Sequence, residues 1–286
     1  MAQTILVVGA EGQLGSAIVE AFAASARVVG LGRQDLDITV DAAVRDRIGR
    51  ERPDVIVNCA ADNDVDGAES EPLRALSVNA FAVRALARAA DQAGARLVHY
   101  SSDFVFDGTT SRPYVEDDQP NPQGVYAASK LLGEWFALEA RRAFVLRVES
   151  LFGALGAGRP GRSSLDRIVE GIREGREVPV FTDRTVSPSY VVDLASATRA
   201  LLESDAAPGL YHCVNTGATT WYAIALEIAR LIGREARLKP ITLGEVTLRA
   251  PRPLYSALDN SRLRAVGVPM PTWQDALARY LGSSQR

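Results

Sequence analysis

Lysine, cysteine and histidine are scarce in this chain, with two of each among 286 residues. Neither Cys59 nor Cys213 has a second cysteine or a histidine at metal-ligand spacing, so we expect buried, reduced thiols and no metal site. No apolar run approaches the ~20 residues that cross a bilayer, and the first residues do not resemble a secretory signal. These absences predict a cytoplasmic protein that has no membrane partner.

Concentrated positive charge is also missing. The formal net charge is −3, and acidic residues separate the arginines along the chain. Because a nucleic-acid surface needs a dense basic patch, nucleic acid is not an expected partner. The length and the 47% hydrophobic content suit one large or two unequal folded domains.

A glycine-rich segment follows the first predicted strand, Thr4 to Val8, and opens a predicted helix. Glycines permit a tight turn and a close approach of backbone to a pyrophosphate, and the free amides at a helix start bind the anion. The sequence therefore predicts a dinucleotide site. The cofactor-binding residues expected from this segment are Gly9, Gly12, Gln13, Leu14 and Gly15.

The second predicted strand, Ala26 to Leu31, ends at Gly32-Arg33. An acid at this place would bond a ribose 2′-hydroxyl and repel a 2′-phosphate, whereas a guanidinium pairs with that phosphate. We therefore expect NADPH, with Asp37 and Ile38 beside the adenine. NADH stays open as an alternative, since Arg33 has a simpler interpretation as a solvated side chain at a strand end.

Further strands and helices alternate along the first half, with strands near residues 54–61 and 97–100 and helices at 41–50 and 71–93. Such alternation predicts an α/β fold of Rossmann type, a doubly wound parallel sheet with helices on both faces. Ligands lie beyond the carboxyl ends of such strands. Further cofactor contacts are expected there from Cys59, Ala60, Ala61 and Asn79.

The second half of the sequence is less regular and predicts a smaller substrate domain. We expect residues 1–152 and 186–217 to form the dinucleotide-binding domain, and residues 153–185 and 218–286 to form the substrate-binding domain.

One of the two lysines, Lys130, follows Tyr126 by four residues in a segment with helical character. This spacing places both side chains on one helix face. A nearby ammonium stabilises a phenolate, so we expect the pKa of Tyr126 to be lowered toward working pH. Ser102 ends a predicted strand and can bond the same oxygen that the tyrosine protonates. The three residues predict reduction of a carbonyl group.

These features together resemble the extended short-chain dehydrogenase/reductases, and among them the dTDP-4-dehydrorhamnose reductases. The similarity extends over nearly the whole chain, and its motifs lie at residues 9–15, 53–61, 65–72, 99–106, 126–130, 146–147, 209–212, 252–253 and 256–263. The resemblance implies that Tyr126 is the proton donor, that Lys130 binds the nicotinamide ribose and tunes the tyrosine, and that Ser102 stands where the family has threonine or serine.

The resemblance also implies the reaction, which is NADPH-dependent reduction of the C4 carbonyl of a nucleotide-linked 4-keto-6-deoxyhexose in deoxysugar biosynthesis. The expected substrate is dTDP-linked, and the sequence leaves the sugar, its stereochemistry and a homodimer open. Two alternatives stand beside it. One is a nucleotide-sugar epimerase or dehydratase of the same fold, and the other is a non-catalytic regulatory subunit, like the beta subunit of methionine adenosyltransferase.

The chain departs from the family pattern where the sugar is expected. Where the family usually has Tyr-Thr, this chain has Asp62-Asn63, and residues 148–150 replace the usual Thr-Ser-Trp. The segment 183–189 also differs from the family pattern, and Tyr255-Ser256 replaces the usual Asn-Ser. An aromatic side chain near the sugar thereby gives way to the acceptor Glu149. The expected substrate-binding residues are Asn63, Ser102, Asp103, Glu149, Arg184, Arg252 and Tyr255.

Two of these residues carry specific interpretations. Glu149 either accepts a hydrogen bond from a hydroxyl or amino group of the sugar or pairs with a nearby arginine such as Arg184, because a buried carboxylate needs a partner. Arg252 is a candidate for the substrate diphosphate, since a guanidinium suits phosphate geometry.

Overall fold

The computed structural model describes residues 3–154 and 163–283. Its strands are β1 (Thr4–Val8), β2 (Arg27–Leu31), β3 (Val55–Asn58), β4 (Arg96–Ser102), β5 (Ala143–Val148), β6 (Leu151–Phe152), β7 (Glu177–Phe181), β8 (Thr185–Val186), β9 (Ser189–Tyr190), β10 (Gly209–His212), β11 (Thr219–Thr220) and β12 (Arg237–Ile241).

The helices alternate with these strands through most of the chain. They are α1 (Gln13–Phe22), α2 (Asp41–Glu51), α3 (Val65–Ser70), α4 (Pro72–Leu76), α5 (Ala82–Ala93), α6 (Val125–Leu138), α7 (Ser164–Arg173), α8 (Val191–Glu203), α9 (Trp221–Ile232), α10 (Ser261–Ala265) and α11 (Trp273–Ser283). A π-helical segment, Ser77–Phe81, joins α4 to α5, so the helix expected at 71–93 is interrupted by a wider turn.

Six parallel strands form the central sheet in the order β10-β5-β4-β3-β1-β2. The chain leaves β1 toward β2 on one side and returns to β3 on the other, which creates a switch point at the carboxyl end of β1. Alternate residues of β1 face opposite layers: Ile5 and Val7 pack with α1 and α8, while Leu6 and Val8 pack with α2 and α5. The predicted doubly wound parallel sheet is therefore confirmed.

A separate apolar cluster lies among α7, α9, α11 and β7. The pairing of β7 with β12 and that of β8 with β11 border it, and neither β11, β12 nor α11 was expected from the sequence. Residues 153–161, which their glycine content predicts to be a loop, lie for the most part outside the described residues. No helix in the described part of the chain is both long and apolar enough to cross a membrane.

Candidate active site

The glycine loop joins β1 to α1 with almost no free space. Gly9 has a positive φ of 76°, and its amide and that of Ala10 donate to the Leu31 carbonyl of β2 at 2.9 and 3.1 Å. A Cβ atom at Gly15 would lie 2.1 Å from the Gly9 carbonyl oxygen. The helix therefore begins directly against the loop, with its first amides at the carboxyl end of β1.

A cleft of about 750 Å³ opens at the carboxyl ends of the first three strands. Nine residues predicted for the cofactor or the substrate line it: Gly9, Gly12, Arg33, Asp37, Ile38, Cys59, Ala60, Ala61 and Asn63. The other three residues predicted from the loop do not line this cleft. Gln13 donates to the Gly153 carbonyl, and Leu14 and Gly15 are buried under the loop.

A carboxylate that sequence reasoning missed lies at the end of β2. A Cβ atom at Gly32 would meet the Glu11 carboxyl oxygens at 2.7 and 2.9 Å, so this acid covers the place that the glycine leaves open. Arg33 is exposed at the cleft rim. Hydrogen bonds from Thr39 and, to a smaller extent, the charge of Arg33 hold the pKa of Asp37 below its usual value. The end of β2 therefore presents charges of both signs.

Asn79 fixes the loop that follows β3. Its Oδ1 accepts from the Asp62 amide at 2.9 Å, and its Nδ2 donates to the Asp62 carbonyl at 2.9 Å and to Ser129 Oγ at 3.0 Å. Only 1% of the side chain surface is exposed, so both amide hydrogens are used inside the protein. The Asn79 side chain therefore positions the cleft wall, and its expected contact with the cofactor stays a prediction.

The predicted reactive residues meet between β4 and α6. The Tyr126 hydroxyl lies 3.4 Å from Asn63 Oδ1 and donates to it, and the Phe104 ring stacks edge-on at 5.5 Å. Lys130 Nζ donates to the Tyr100 carbonyl at 2.7 Å. Burial lowers the pKa of Lys130 to about 8. Tyr126 and Lys130 therefore share one face of α6, as their spacing predicted.

The expectation of a lowered pKa for Tyr126 is wrong for this structure. Burial raises the pKa of the phenol, the charges of Asp103 and Asp62 raise it further, and the Ser102 hydroxyl only partly opposes the rise. The spacing in sequence does not account for desolvation, which disfavours the phenolate. The Tyr126 hydroxyl therefore carries its proton at neutral pH.

Two buried carboxyl groups lie directly behind Ser102. Ser102 Oγ donates to Asp103 Oδ1 at 2.9 Å. Ser256 Oγ donates to Glu149 Oε1 at 2.5 Å, and the Ser187 amide donates to Glu149 Oε2 at 2.6 Å. Burial raises the pKa of Asp103 to about 6, and burial together with the Asp103 charge raises the pKa of Glu149 well above its usual value.

The contacts of Glu149 do not include the ion pair with Arg184, and its interpretation as an acceptor for the sugar stays a prediction. Its hydrogen-bond partners are Ser187 and Ser256, which sequence reasoning did not find, and Arg184 acts on it only through its charge. The Arg184 Nε instead donates to the Pro253 carbonyl at 3.3 Å. The expected ion pair with Arg184 is therefore corrected to two hydrogen bonds.

The remaining predicted substrate residues are Arg252, Arg184 and Tyr255. Arg252 pairs with Asp66 at 2.8 Å, and its guanidinium lies 5.8 Å from the Phe104 ring centroid. Arg184 borders a second cleft of about 300 Å³ and is close enough to Arg252 for their charges to interact. Tyr255 is half-buried, and its pKa responds to the charge of Glu149.

A carbonyl is reduced by a dinucleotide when a protonated hydroxyl lies beside the cofactor, and Tyr126 bonds Asn63, which lines the cleft at the switch point of the sheet. The class is thereby defined as a Rossmann-fold NAD(P)-dependent oxidoreductase of the extended short-chain dehydrogenase/reductase type. The family model described as RmlD substrate binding domain matches residues 3–286. The chain belongs to the RmlD family.

Individual relatives agree with this assignment. A dTDP-4-dehydrorhamnose reductase of Streptomyces griseus is 40% identical over 95% of this chain and 91% of its own. A probable dTDP-4,6-dihydroxy-2-methyloxan-3-one 4-ketoreductase of Streptomyces antibioticus is 36% identical over 95% of this chain and 92% of its own. The crystal structure of dTDP-4-dehydrorhamnose reductase from Bacillus anthracis in complex with NADP has a TM-score of 0.93 at 32% identity, covering 99% of this chain and 100% of that one.

Proposed function

We propose that the protein catalyses the NADPH-dependent reduction of the C4 carbonyl of a dTDP-linked 4-keto-6-deoxyhexose. The observation that carries this proposal is the buried, protonated Tyr126 hydroxyl, which lies beside Ser102 and one helical turn from Lys130. The activities named for the similar reductases support a dTDP-linked keto sugar as the substrate. Their different sugars leave the stereochemistry of the product open.

The cleft residues fit a dinucleotide. A Cβ atom at Gly9 would lie 2.7 Å from the Ala60 amide nitrogen, so the glycine loop packs directly against the backbone that follows β3. Arg33 would pair with a 2′-phosphate, with Asp37 and Ile38 beside the adenine. Lys130 directs one hydrogen to Tyr100 and retains others for ribose hydroxyls. When bound, NADPH supplies the hydride that reduces the carbonyl carbon.

Tyr126 gives its proton to the carbonyl oxygen as negative charge develops there, and Ser102 donates a hydrogen bond to the same oxygen. The ammonium of Lys130 stabilises the phenolate that remains, and the tyrosine regains its proton from solvent. One proton is thereby consumed for each alcohol formed. Because the pKa of Lys130 is about 8 without cofactor, its charge is present at neutral pH.

The arginines beside Tyr126 support a site for the diphosphate. Arg184 and Arg252 lie close enough to repel each other, and a dianionic diphosphate would relieve that repulsion. Asn63 and Tyr255 would then lie toward the sugar, and Asp103 and Glu149 would act on it from behind Ser102. The expected division into domains of residues 1–152 with 186–217 and 153–185 with 218–286, and a homodimer, are parts of the same proposal.

Turnover of a dTDP-4-keto-6-deoxyhexose, followed by NADPH absorbance, tests the proposal. Tyr126→Phe should retain NADPH affinity and lose about 10² to 10⁴-fold in kcat, the usual contribution of a positioned general acid. Tyr211→Phe is the matched control, because Tyr211 lies on β10 and its hydroxyl donates to the Ala207 carbonyl at 2.7 Å. Equal rates for Tyr126→Phe and the wild type would remove Tyr126 from this role.

The same assay separates the alternative functions. An epimerase or dehydratase would convert the sugar without net oxidation of NADPH, and a regulatory subunit would convert nothing. Stoichiometric NADPH oxidation and alcohol formation support the reductase. Their absence across a panel of 4-keto-6-deoxyhexoses would contradict it.

A further inference from the structure

The hydroxyl of Ser102 has a single hydrogen, which two acceptors compete for. In this structure it is donated to Asp103 Oδ1 at 2.9 Å, while Ser102 Oγ accepts from the Phe104 amide at 3.2 Å. An ionised carboxylate is acceptor-only, so a charged Asp103 holds this hydrogen away from the substrate. A protonated Asp103 donates its own hydrogen to Ser102, which frees the serine hydrogen for another acceptor.

A second carboxyl group, that of Glu149, can supply the proton that an ionised Asp103 lacks. Ser256 Oγ bonds Glu149 Oε1 at 2.5 Å, and the Ser256 hydroxyl also lowers the pKa of Asp103, partly opposing the rise that burial causes. Asp103 and Glu149 are only 4% and 2% exposed, and neither lines any of the clefts described above. Burial of both carboxyl groups, together with the effect of the Asp103 charge on Glu149, favours retention of one proton by the pair.

We propose that Glu149 is a positioning residue for the reduction. It holds a proton that passes through the Ser256 hydroxyl to Asp103, and so releases the hydrogen of Ser102 to the carbonyl oxygen of the substrate. The inference rests on the proposed function. Each transfer is balanced: Glu149 gives a proton to Ser256 Oγ, which gives its own to Asp103, and no net charge leaves the group.

The surroundings of the pair agree with this role. Arg184 is the charged side chain that faces both carboxyl groups, and it favours their ionised forms. The titratable hydroxyls of Tyr126 and Tyr255 face Asp103 and Glu149, respectively. Burial outweighs Arg184, so the pKa of both carboxyls is raised, and the shared proton is present at low pH and lost as pH rises.

The dependence of kcat on pH tests the inference. Glu149→Gln can still accept from the Ser187 amide through its oxygen and donate to Ser256 Oγ through Nε2, but it has no proton to transfer. Its kcat should match the wild type below the pKa of Asp103 and fall by about tenfold for each further pH unit, with the alkaline limb shifted to lower pH. In an Asp103→Asn background, Glu149→Gln should cause no further shift of the alkaline limb of the kcat profile.

Glu116→Gln is the matched control, because Glu116 is a buried carboxyl that accepts from the His212 amide at 2.8 Å. Its kcat profile should follow the wild type. A purely structural role for Glu149 would instead lower the melting temperature and reduce kcat by the same factor at every pH. That result, or superimposable profiles for Glu149→Gln and the wild type, would overturn the inference.

An infrared measurement separates failure of the inference from failure of the proposed function. The wild-type protein at neutral pH should show the carbonyl band of a buried protonated carboxylic acid, and Glu149→Gln should lose it. This readout requires no turnover. If the wild type reduces no keto sugar, the proposed function fails, and the band alone then decides for or against the shared proton.

Discussion

Replacement of Gly15 by alanine has a cost that follows directly from the structure. The added Cβ would lie 2.1 Å from the Gly9 carbonyl oxygen and 2.8 Å from its carbon, whereas non-bonded carbon atoms rest about 3.5 to 4.0 Å apart. Because the opposing atoms are backbone, the loop must move, and such overpacking costs about 1 to 3 kcal/mol. Alanine regains roughly 1 kcal/mol of helix propensity. We expect a net destabilisation of up to about 2 kcal/mol.

Gly49→Ala is the control for this prediction, because no described atom lies within 4 Å of a Cβ at that helical position. It should stabilise the protein by about 0.5 to 1 kcal/mol. Urea denaturation measures both free energies of unfolding, and titration with NADPH by fluorescence should show weaker binding for Gly15→Ala alone. The same gain in stability and the same NADPH affinity in both variants would refute the argument from close contact.

Two further predictions concern the cofactor and the core. Arg33→Ala should raise KM for NADPH by about 10- to 100-fold, the value of a charge-assisted hydrogen bond, and leave KM for NADH almost unchanged; equal changes for both cofactors in steady-state kinetics would contradict the assignment. Glu134→Gln leaves the buried Arg147, 2.8 Å away and 2% exposed, without its counter-ion, and should cost about 3 to 5 kcal/mol in urea unfolding. Glu227→Gln breaks the exposed pair with Arg230 and should cost less than about 1 kcal/mol, and comparable losses for the two variants would be evidence against the burial argument.

The reversed pKa shift of Tyr126 bears on how the chemistry is carried out. A reduction needs a proton donor, and a buried phenol of raised pKa is protonated at neutral pH. The Lys130 ammonium is then required mainly after the proton has left, when it stabilises the phenolate. Tyr126 and Lys130 form the pair that their spacing predicted. Because Tyr126 is buried, the Lys130 charge acts after the proton has left the phenol and does not ionise the phenol beforehand.

Most of the central sheet was predictable because its signals are local. The strands β1 to β4 and helices α1, α2 and α6 have periodic apolar residues bounded by turn signals, and each pattern needs only near neighbours in the chain. The strands that were missed are short or depend on distant partners. β12, for example, pairs with β7 through Lys239 opposite Pro179, and neither segment alternates apolar and polar residues over a full strand.

The sequence by itself determined the glycine loop, the tyrosine and lysine on one helix face, and the serine at a strand end. These depend on covalent spacing and on the repeat of a helix or strand, so a single segment contains all the information. Only the tertiary structure decided the partners of Glu149, which bonds Ser256 across 107 residues of chain, and the direction of the Tyr126 pKa shift. Both follow from desolvation and hydrogen bonding among segments that are distant in sequence, and no local pattern encodes them.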